Sequence, residues 1–463
     1  MKKTKRFEIV PYRAFRLQED DVVIIAEEHN AWALINSDDL NLIKAHLSET
    51  TASSLEELPA SIKKIWEAGL LTFAGNGHKN TIKLKDNYPS SLLLKLTGSC
   101  NINCRYCYDY DESRFKSNLD FEKIQEAIDY LLLNRDNLGI VFHGGEPLLR
   151  FDVIKKTVNY IKNKEEWKEK HISFQIQTNG FLFNNEIISF LETNNFSVGL
   201  SIDGIIEDAN VFRQNRAGKS TLKNFTEILE NHSNFIRNRC GILTVVSKVN
   251  IKHIPSFAIW LQKQGIYNLS FTFLDQSGKG KTLEKYKVTP NEAVWLFQEF
   301  VDLISNGSIT KLTLSPIISR ISNLFQFHPK DFCHKGPCAA YDDFIVLDAE
   351  GNYRTCDCIY HPFFEMGKEI ESTESSTVRK NIINRHTWLK TEHPTCKNCA
   401  LFSLCGGTCA GKAIAANQNP YSIDDDIECK ISQFFFPRVL SEFAYSAEKP
   451  LLNYYNFHKG KSK

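Results

Sequence analysis

The sequence predicts an α/β protein centred on a parallel sheet, and three observations lead there. Short apolar, β-branched runs alternate with longer amphipathic stretches from about Ser91 to Gly307, as repeated βαβ units require. Polar segments follow the apolar runs directly. Those segments, GSCNINC, HGGEP, QTNG and SIDG, hold most of the candidate chemistry in this part of the chain, and parallel α/β proteins place their sites at the carboxyl edge of the sheet.

Six strands are expected: Leu92–Leu96, Ile140–His143, Ile172–Gln177, Val198–Ile202, Ile242–Ser247 and Leu269–Leu274. The intervening helices fall at Asp120–Leu133, Asp152–Asn163, Glu186–Leu191, Thr221–Asn231 and Ile254–Gln264, with Asn291–Ser305 after the last strand. Right-handed crossovers between parallel strands follow. Six repeats close partly into a barrel or lie flat as a doubly wound sheet, and periodicity alone does not separate the two.

Residues 1–85 read as a separate small α+β unit. Strands are expected near Tyr12–Leu17, Val22–Ala26 and Ala31–Ile35, and helices at Asp38–Leu47 and Pro59–Ala68. Gly75–Asp86 makes a linker to a central unit at 90–310, Lys368–Thr377 a polar connection inside a third unit at 330–435, and 436–463 a tail. The charged run at 162–171 and the terminal GKSK are read as solvated surface.

A length of 463 residues suits two or three domains, and 42% hydrophobic with 24% charged residues is the balance of a globular protein. With 56 basic against 55 acidic residues, no overall charge draws the chain to nucleic acid or an anionic membrane. No run approaches the roughly 20 apolar residues that span a bilayer, so the expected location is cytoplasmic. Thirteen cysteines in a reducing compartment point to metal ligands or chemistry rather than disulfides. Three cluster near Cys100, nine fall between Cys333 and Cys429, and Cys240 stands alone.

Cys100, Cys104 and Cys107 stand as CNINCRYC. That spacing lets one loop wrap three thiolates around an iron–sulfur cube and leaves the fourth iron without a protein ligand, whereas cluster proteins that only pass electrons normally supply four cysteines. A zinc site completed by His143 is the alternative on spacing alone.

The spacing, the aromatic Tyr106 before the last cysteine, HGGEP from His143 to Pro147, QTNG at 177–180 and SIDG at 201–204 together resemble the radical SAM family over about residues 90–310. That resemblance implies a partial (β/α)6, TIM-like barrel and S-adenosylmethionine (SAM) chelating the open iron. It also implies SAM contacts from Tyr106, Gly144, Gly145, Glu146, Pro147, Gln177, Asn179, Ser201 and Asp203, with Arg213 on the SAM carboxylate, a task that suits a planar guanidinium.

In the second cysteine group, Cys338 is followed by twelve residues, Gly351, four residues and Cys356; Cys396, Cys399, Cys405 and Cys409 then lie in C-x2-C-x5-C-x3-C, with Cys429 beyond. CxxC spacing alone would also suit a single zinc with four cysteine ligands. The order resembles the SPASM domain, which implies two auxiliary 4Fe–4S clusters and three in the whole chain. By that resemblance Cys333, Cys338, Cys356 and Cys409 hold one auxiliary cluster, with Cys358 as an alternative to Cys333, while Cys396, Cys399, Cys405 and Cys429 hold the other. Cys240 and Cys358 are otherwise taken as structural. Asp357 stands where SPASM-containing sulfatase maturases carry a catalytic aspartate, which implies proton acceptance from substrate; an Asp that only caps a turn is the plainer reading.

Residues from about Arg13 to Thr72, through VVII, ALINSDDLNLIKAHL and IKKIWEAGLL, resemble the winged-helix leader-binding module of enzymes that mature ribosomally made peptides. With PYRAFRL near the start, the layout is similar to the His-Xaa-Ser-type maturases. The implied partners are a precursor peptide, added to a sheet edge, and an external one-electron donor such as flavodoxin or ferredoxin. The activity so implied is oxidative crosslinking of precursor side chains. A sulfatase-type maturase that oxidises Ser or Cys in a partner protein, a non-catalytic electron carrier, and an N-terminal unit that merely shields the barrel are the other readings.

Overall fold

The structure, a computed structural model, describes residues 7–18, 20–49, 60–73, 76–77, 88–326, 333, 336–340, 343–371, 373–422 and 427–459. Most of the expected linker at 75–86 and the last four residues therefore lie outside the described residues.

The N-terminal part contributes β1 (Phe7–Ile9), β2 (Tyr12–Gln18), β3 (Asp21–Ala26) and β4 (Trp32–Asn36), helices Ser37–Glu49 and Ala60–Glu67, then β5 (Leu71–Phe73) and β6 (Asn76–Gly77). β2, β3 and β4 form an antiparallel sheet in that order, and β1, β5 and β6 a second one. Ile24, Ala33, Ile35, Ile43, Ile62 and Ile65 close a small core of their own. Asn30 and Trp32 donate to the carbonyls of Asn323 and Leu324, each at 2.8 Å, and the Tyr445 hydroxyl donates to Asp21 at 2.6 Å, so the module rests on the helices that carry those residues.

The central strands are β7 (Ser91–Lys95), β8 (Asn137–His143), β9 (His171–Thr178), β10 (Ser197–Ser201), β11 (Cys240–Val246), β12 (Asn268–Phe273) and the two-residue β13 (Thr313–Leu314). Each pairs in parallel with its sequence neighbour, so the sheet runs in chain order and stays open. The six strands read from the sequence are therefore present, within a few residues at their ends. Their two-residue period sorts the side chains. In β8, Leu138, Ile140 and Phe142 are buried, while Gly139, Val141 and His143 alternate with them on the other face. The helix Pro290–Ser305 shows how the crossovers are fixed: Thr289 and Glu292 cap each other's backbone N–H, and Pro290 takes the first helical position, an arrangement that contributes about 1 kcal/mol.

β14 (Phe344–Leu347) and β15 (Tyr353–Arg354) form a hairpin, and β16 (Glu365–Gly367) adds to it. The sequence did not show that β14 also pairs in parallel with β7, from Phe344 opposite Ser91 to Leu347 opposite Leu94. One ten-stranded sheet therefore joins the central and C-terminal parts. The buried Asp348 carboxylate holds the hairpin turn by accepting from the N–H groups of Glu350 and Asn352 and from Arg354 Nε.

Three expectations need correction. Residues 436–463 are not a simple tail: helices Ile427–Tyr445 and Pro450–His458 bury Val439, Leu440, Leu451 and Tyr454, and the Tyr454 hydroxyl donates to Leu312 O at 2.7 Å. Pro437, a helix breaker by sequence rules, sits inside the first of them. The polar stretch 368–377 is already helical from Thr373. Within the charged run at 162–171, Trp167 is buried, with Lys164 over its ring.

Candidate active site at the carboxyl edge of the sheet

Strands β7 to β10 end at Lys95, His143, Thr178 and Ser201, and the loops beyond those ends enclose a cavity of about 600 Å³. Small-molecule sites occupy about 300–1,000 Å³. Cys100, Cys104, Cys107, Tyr106, Gly145, Glu146, Gln177, Asn179, Ser201 and Arg213 all line it, and so does Asp357 from beyond β15. Gly144, Pro147 and Asp203 are not among its lining residues.

The HGGEP turn can follow β8 so closely because of its glycines. Gly144 and Gly145 have φ of +82° and +50°, in the region that favours glycine. A Cβ on Gly145 would lie 2.0 Å from the carbonyl oxygen of Ser99. The turn is thus pressed against the cysteine loop, and the Glu146 N–H donates to that same carbonyl at 2.9 Å.

Glu146 has a structural task that the sequence did not show. Its carboxylate accepts from the Thr178 hydroxyl at 2.7 Å, the Asn179 N–H at 2.9 Å and the Leu148 N–H at 3.1 Å, bracing the QTNG turn. Burial pushes its pKa up to about 7 against the lowering effect of those bonds. Asn179 in turn donates to Asn101 at 2.7 Å, and Gln177 donates to the Ser201 hydroxyl at 2.9 Å.

Asp203 stands behind the cavity wall as a brace. It accepts from the Tyr106 hydroxyl and from Val245 N–H at 3.0 Å, and its Oδ2 lies 3.4 Å from Arg213 Nε. Burial raises its pKa, opposed first by Arg213. Arg213 therefore already has an anionic partner, whereas Arg216, which the sequence reading passed over, lines the cavity and donates to Cys100 O at 2.7 Å.

Burial is the first cause of the raised pKa of Cys100, Cys104 and Cys107, each up to about 11. Such thiols stay protonated at neutral pH until a metal displaces the proton. His143 is engaged elsewhere: Nδ1 accepts from Gly144 N–H at 2.7 Å, and Nε2 faces the Tyr108 hydroxyl at 3.4 Å. Among the described residues no three His, Cys, Asp or Glu side chains are grouped to hold a single metal ion.

Residues to which the sequence assigned no role hold Asp357 in place. Lys95, buried at the end of β7, donates to the Asp109 carboxylate and, at 2.6 Å, to the backbone carbonyl of Asp357. Burial alone would lower its pKa; Asp109, then Tyr360 and Asp357, more than offset this and raise it. The Tyr108 hydroxyl donates to Asp357 Oδ2 at 3.2 Å. Cys358, taken as structural from the sequence, is exposed and lines the cavity beside Asp357. Cys240 is buried in the barrel core.

In the second group, the Sγ atoms of Cys409 and Cys356 lie 3.6 and 3.8 Å from the point where a Cβ on Gly411 would stand. Cys405 has its pKa raised by burial, against the Gly407 N–H, with Cys399, Cys396 and Cys429 as neighbouring thiols. The structure thus brings Cys356 near Cys409, and Cys405 near the other three. Cys333 is exposed and Cys338 half-buried.

Residues 94–261 match the model of the radical SAM superfamily. A cysteine-type anaerobic sulfatase-maturating enzyme of Clostridium novyi is 26% identical over 372 residues, which cover 78% of this chain and 97% of that relative. An uncharacterized protein of Methanocaldococcus jannaschii is 35% identical over 248 residues, 52% of this chain and 77% of that protein. Two solved structures share the fold. Native anSMEcpe with bound AdoMet superposes with a TM-score of 0.64 at 22% identity, covering 80% of this chain and 100% of that one. Streptococcus suis SuiB bound to precursor peptide SuiA gives 0.56 at 15% identity, covering 90% and 99%.

Proposed function

The chain belongs to the radical SAM superfamily, and from that premise we propose that it is a maturase that oxidises side chains of a ribosomally made precursor peptide. The observation that carries this reading is one cavity lined both by the three cysteines of the first loop and by Asp357 from the C-terminal half.

The residues present fit the cofactor: three thiols on one loop, a glycine turn packed closely against that loop, and amide and hydroxyl groups at Gln177, Asn179 and Ser201 along the wall. When bound, a 4Fe–4S cluster and SAM supply a 5′-deoxyadenosyl radical on one-electron cleavage of the S–C5′ bond. Cys100, Cys104 and Cys107 would hold the cluster. Gly145, Gln177, Asn179 and Ser201 would orient SAM, with Tyr106, Gly144, Glu146, Pro147, Asp203 and Arg213 fixing the walls. Arg216 would supply a cation for the SAM carboxylate.

Asp357 is assigned the proton that leaves the substrate, with Tyr108 and Lys95 holding its carboxylate and its backbone in place. In the C-terminal half, Cys333 or Cys358 with Cys338, Cys356 and Cys409, and Cys396, Cys399, Cys405 and Cys429, are assigned to two auxiliary clusters, three in all. Residues 1–85 are assigned to the leader, 90–310 to the barrel and 330–435 to the SPASM domain. An external flavodoxin or ferredoxin supplies the first electron.

Co-expression with short candidate precursors, read by mass spectrometry, tests the reading: the peptide should lose two hydrogen atoms for each bond formed. Asp357→Ala should keep 5′-deoxyadenosine formation and lose the product; unchanged product removes Asp357 from the mechanism. The Clostridium novyi relative, matched over nearly its whole length, favours a second reading, formylglycine formation in a partner protein. A sulfatase-derived peptide converted in the same assay, with every precursor left intact, would select it.

A further inference from the structure

Among the described residues, Arg13 of the N-terminal module reaches the second cysteine group. Arg13 lies on β2, an outer strand of the module's sheet. Its Nη1 donates to the carbonyls of Cys396 at 2.6 Å and Cys399 at 3.0 Å, and Nη2 donates to Lys390 O at 3.2 Å. The guanidinium carbon stands 5.6 Å from the centre of the Phe402 ring, on which the His386 ring also stacks at 5.1 Å. The Arg13 side chain is only 15% exposed. Its ionic neighbours face water more: Glu27 Oε1 lies 3.7 Å from Arg13 Nε and Glu27 Oε2 3.6 Å from Lys390 Nζ, which also pairs with Glu28.

We propose that Arg13 is a positioning residue for the auxiliary cluster held by Cys396 and Cys399, fixing the backbone between two of its ligands and raising its reduction potential. The inference rests on the assignment of an auxiliary cluster to that loop. A planar guanidinium that bonds both carbonyls sets their separation, which a flexible ammonium does less well. Reduction adds negative charge to a cluster, and potentials follow net charge and hydrogen bonding nearby. A shielded cation beside the loop therefore favours the reduced form. Docking of the N-terminal module and the readiness of that cluster to take an electron become linked properties.

The test uses the full-length chain with Cys100, Cys104 and Cys107 all replaced by Ala, so that the C-terminal clusters alone contribute signal. Midpoint potentials are read by anaerobic redox titration followed by electron paramagnetic resonance, together with iron content. Arg13→Met should lower one auxiliary potential and Arg13→Lys should lower it less. Asn30→Ala, which removes a different docking bond of the same module, should leave it in place. Loss of iron from Arg13→Met but not from Asn30→Ala also supports the role. Unchanged potentials with full iron in both Arg13 variants, or an equal drop in Asn30→Ala, overturn it. No iron in the triple-alanine background itself would instead overturn the cluster assignment on which the inference rests.

Discussion

Replacing Lys95 by Met should unsettle the wall that carries Asp357 while leaving every cysteine in place. The ammonium is 2% exposed and its partner Asp109 is 10% exposed, so the substitution strands a carboxylate in a dry site and deprives the Asp357 carbonyl of its donor at 2.6 Å. Tyr360, whose hydroxyl bonds the same carboxylate at 3.3 Å, compensates in part. Breaking a buried ion pair on one side costs about 3–5 kcal/mol. For a barrel-sized unit, where 1 kcal/mol moves the melting temperature by about 2–4 °C, this is a fall of roughly 10 °C. The double variant Lys95→Met with Asp109→Asn should recover about half or more of the loss, because the unpaired charge is gone and contacting sites couple strongly. The assay is anaerobic thermal unfolding of wild type, both single variants and the double variant. A Lys95→Met protein that melts within about 1 °C of wild type, or a double variant no more stable than Lys95→Met, would refute the reasoning, since surface-like behaviour means effects within about 0.5 kcal/mol.

Two more outcomes follow from the turn after β8. Glu146 has its folded pKa raised to about 7 from an ordinary 4.5, so the folded state holds its proton longer than the unfolded one, and the group's contribution to stability falls as pH rises from about 4.5 to 7. Between pH 5.5 and 7 this is about 2 kcal/mol; Glu146→Gln should lose that slope, and an unchanged pH profile in urea unfolding counts against it. Gly145→Ala places a methyl 2.0 Å from Ser99 O at a φ of +50°. The left-handed strain alone costs about 1–2 kcal/mol, so SAM binding should weaken about 5- to 30-fold by equilibrium dialysis, and wild-type affinity would contradict the close approach.

What could be read from the sequence followed chemistry that repeats locally. The strands β7 to β12 declared themselves because each pairs an apolar run with a helix of clear period, the cavity's cysteines because they sit just past such a run, and Gln177 and Ser201 because they sit at the ends of theirs. Asp203 carries an ambiguous signal: a carboxylate after a strand can face a ligand or brace its neighbours, and this one bonds Tyr106 and pairs with Arg213. Lys95 was visible as a lysine inside SLLLKL, yet its partner Asp109 is fourteen residues away and the Asp357 carbonyl 262 residues away. No periodicity reports such distances. The pairing of β14 with β7 and the docking of Arg13 on Cys396 and Cys399 are long-range for the same reason. The helix Ile427–Tyr445 is masked in the sequence by Pro437, whose usual effect on a helix is overridden by burial of Phe435, Phe436, Val439 and Leu440 around it.

The central claim is that Cys100, Cys104 and Cys107 leave one iron open for SAM. Its most direct measurement is 5′-deoxyadenosine released when anaerobically reconstituted, reduced protein meets SAM without any peptide. Wild type should release it and Cys104→Ala should not; no release from iron-loaded wild type, or equal release from both, would contradict the claim.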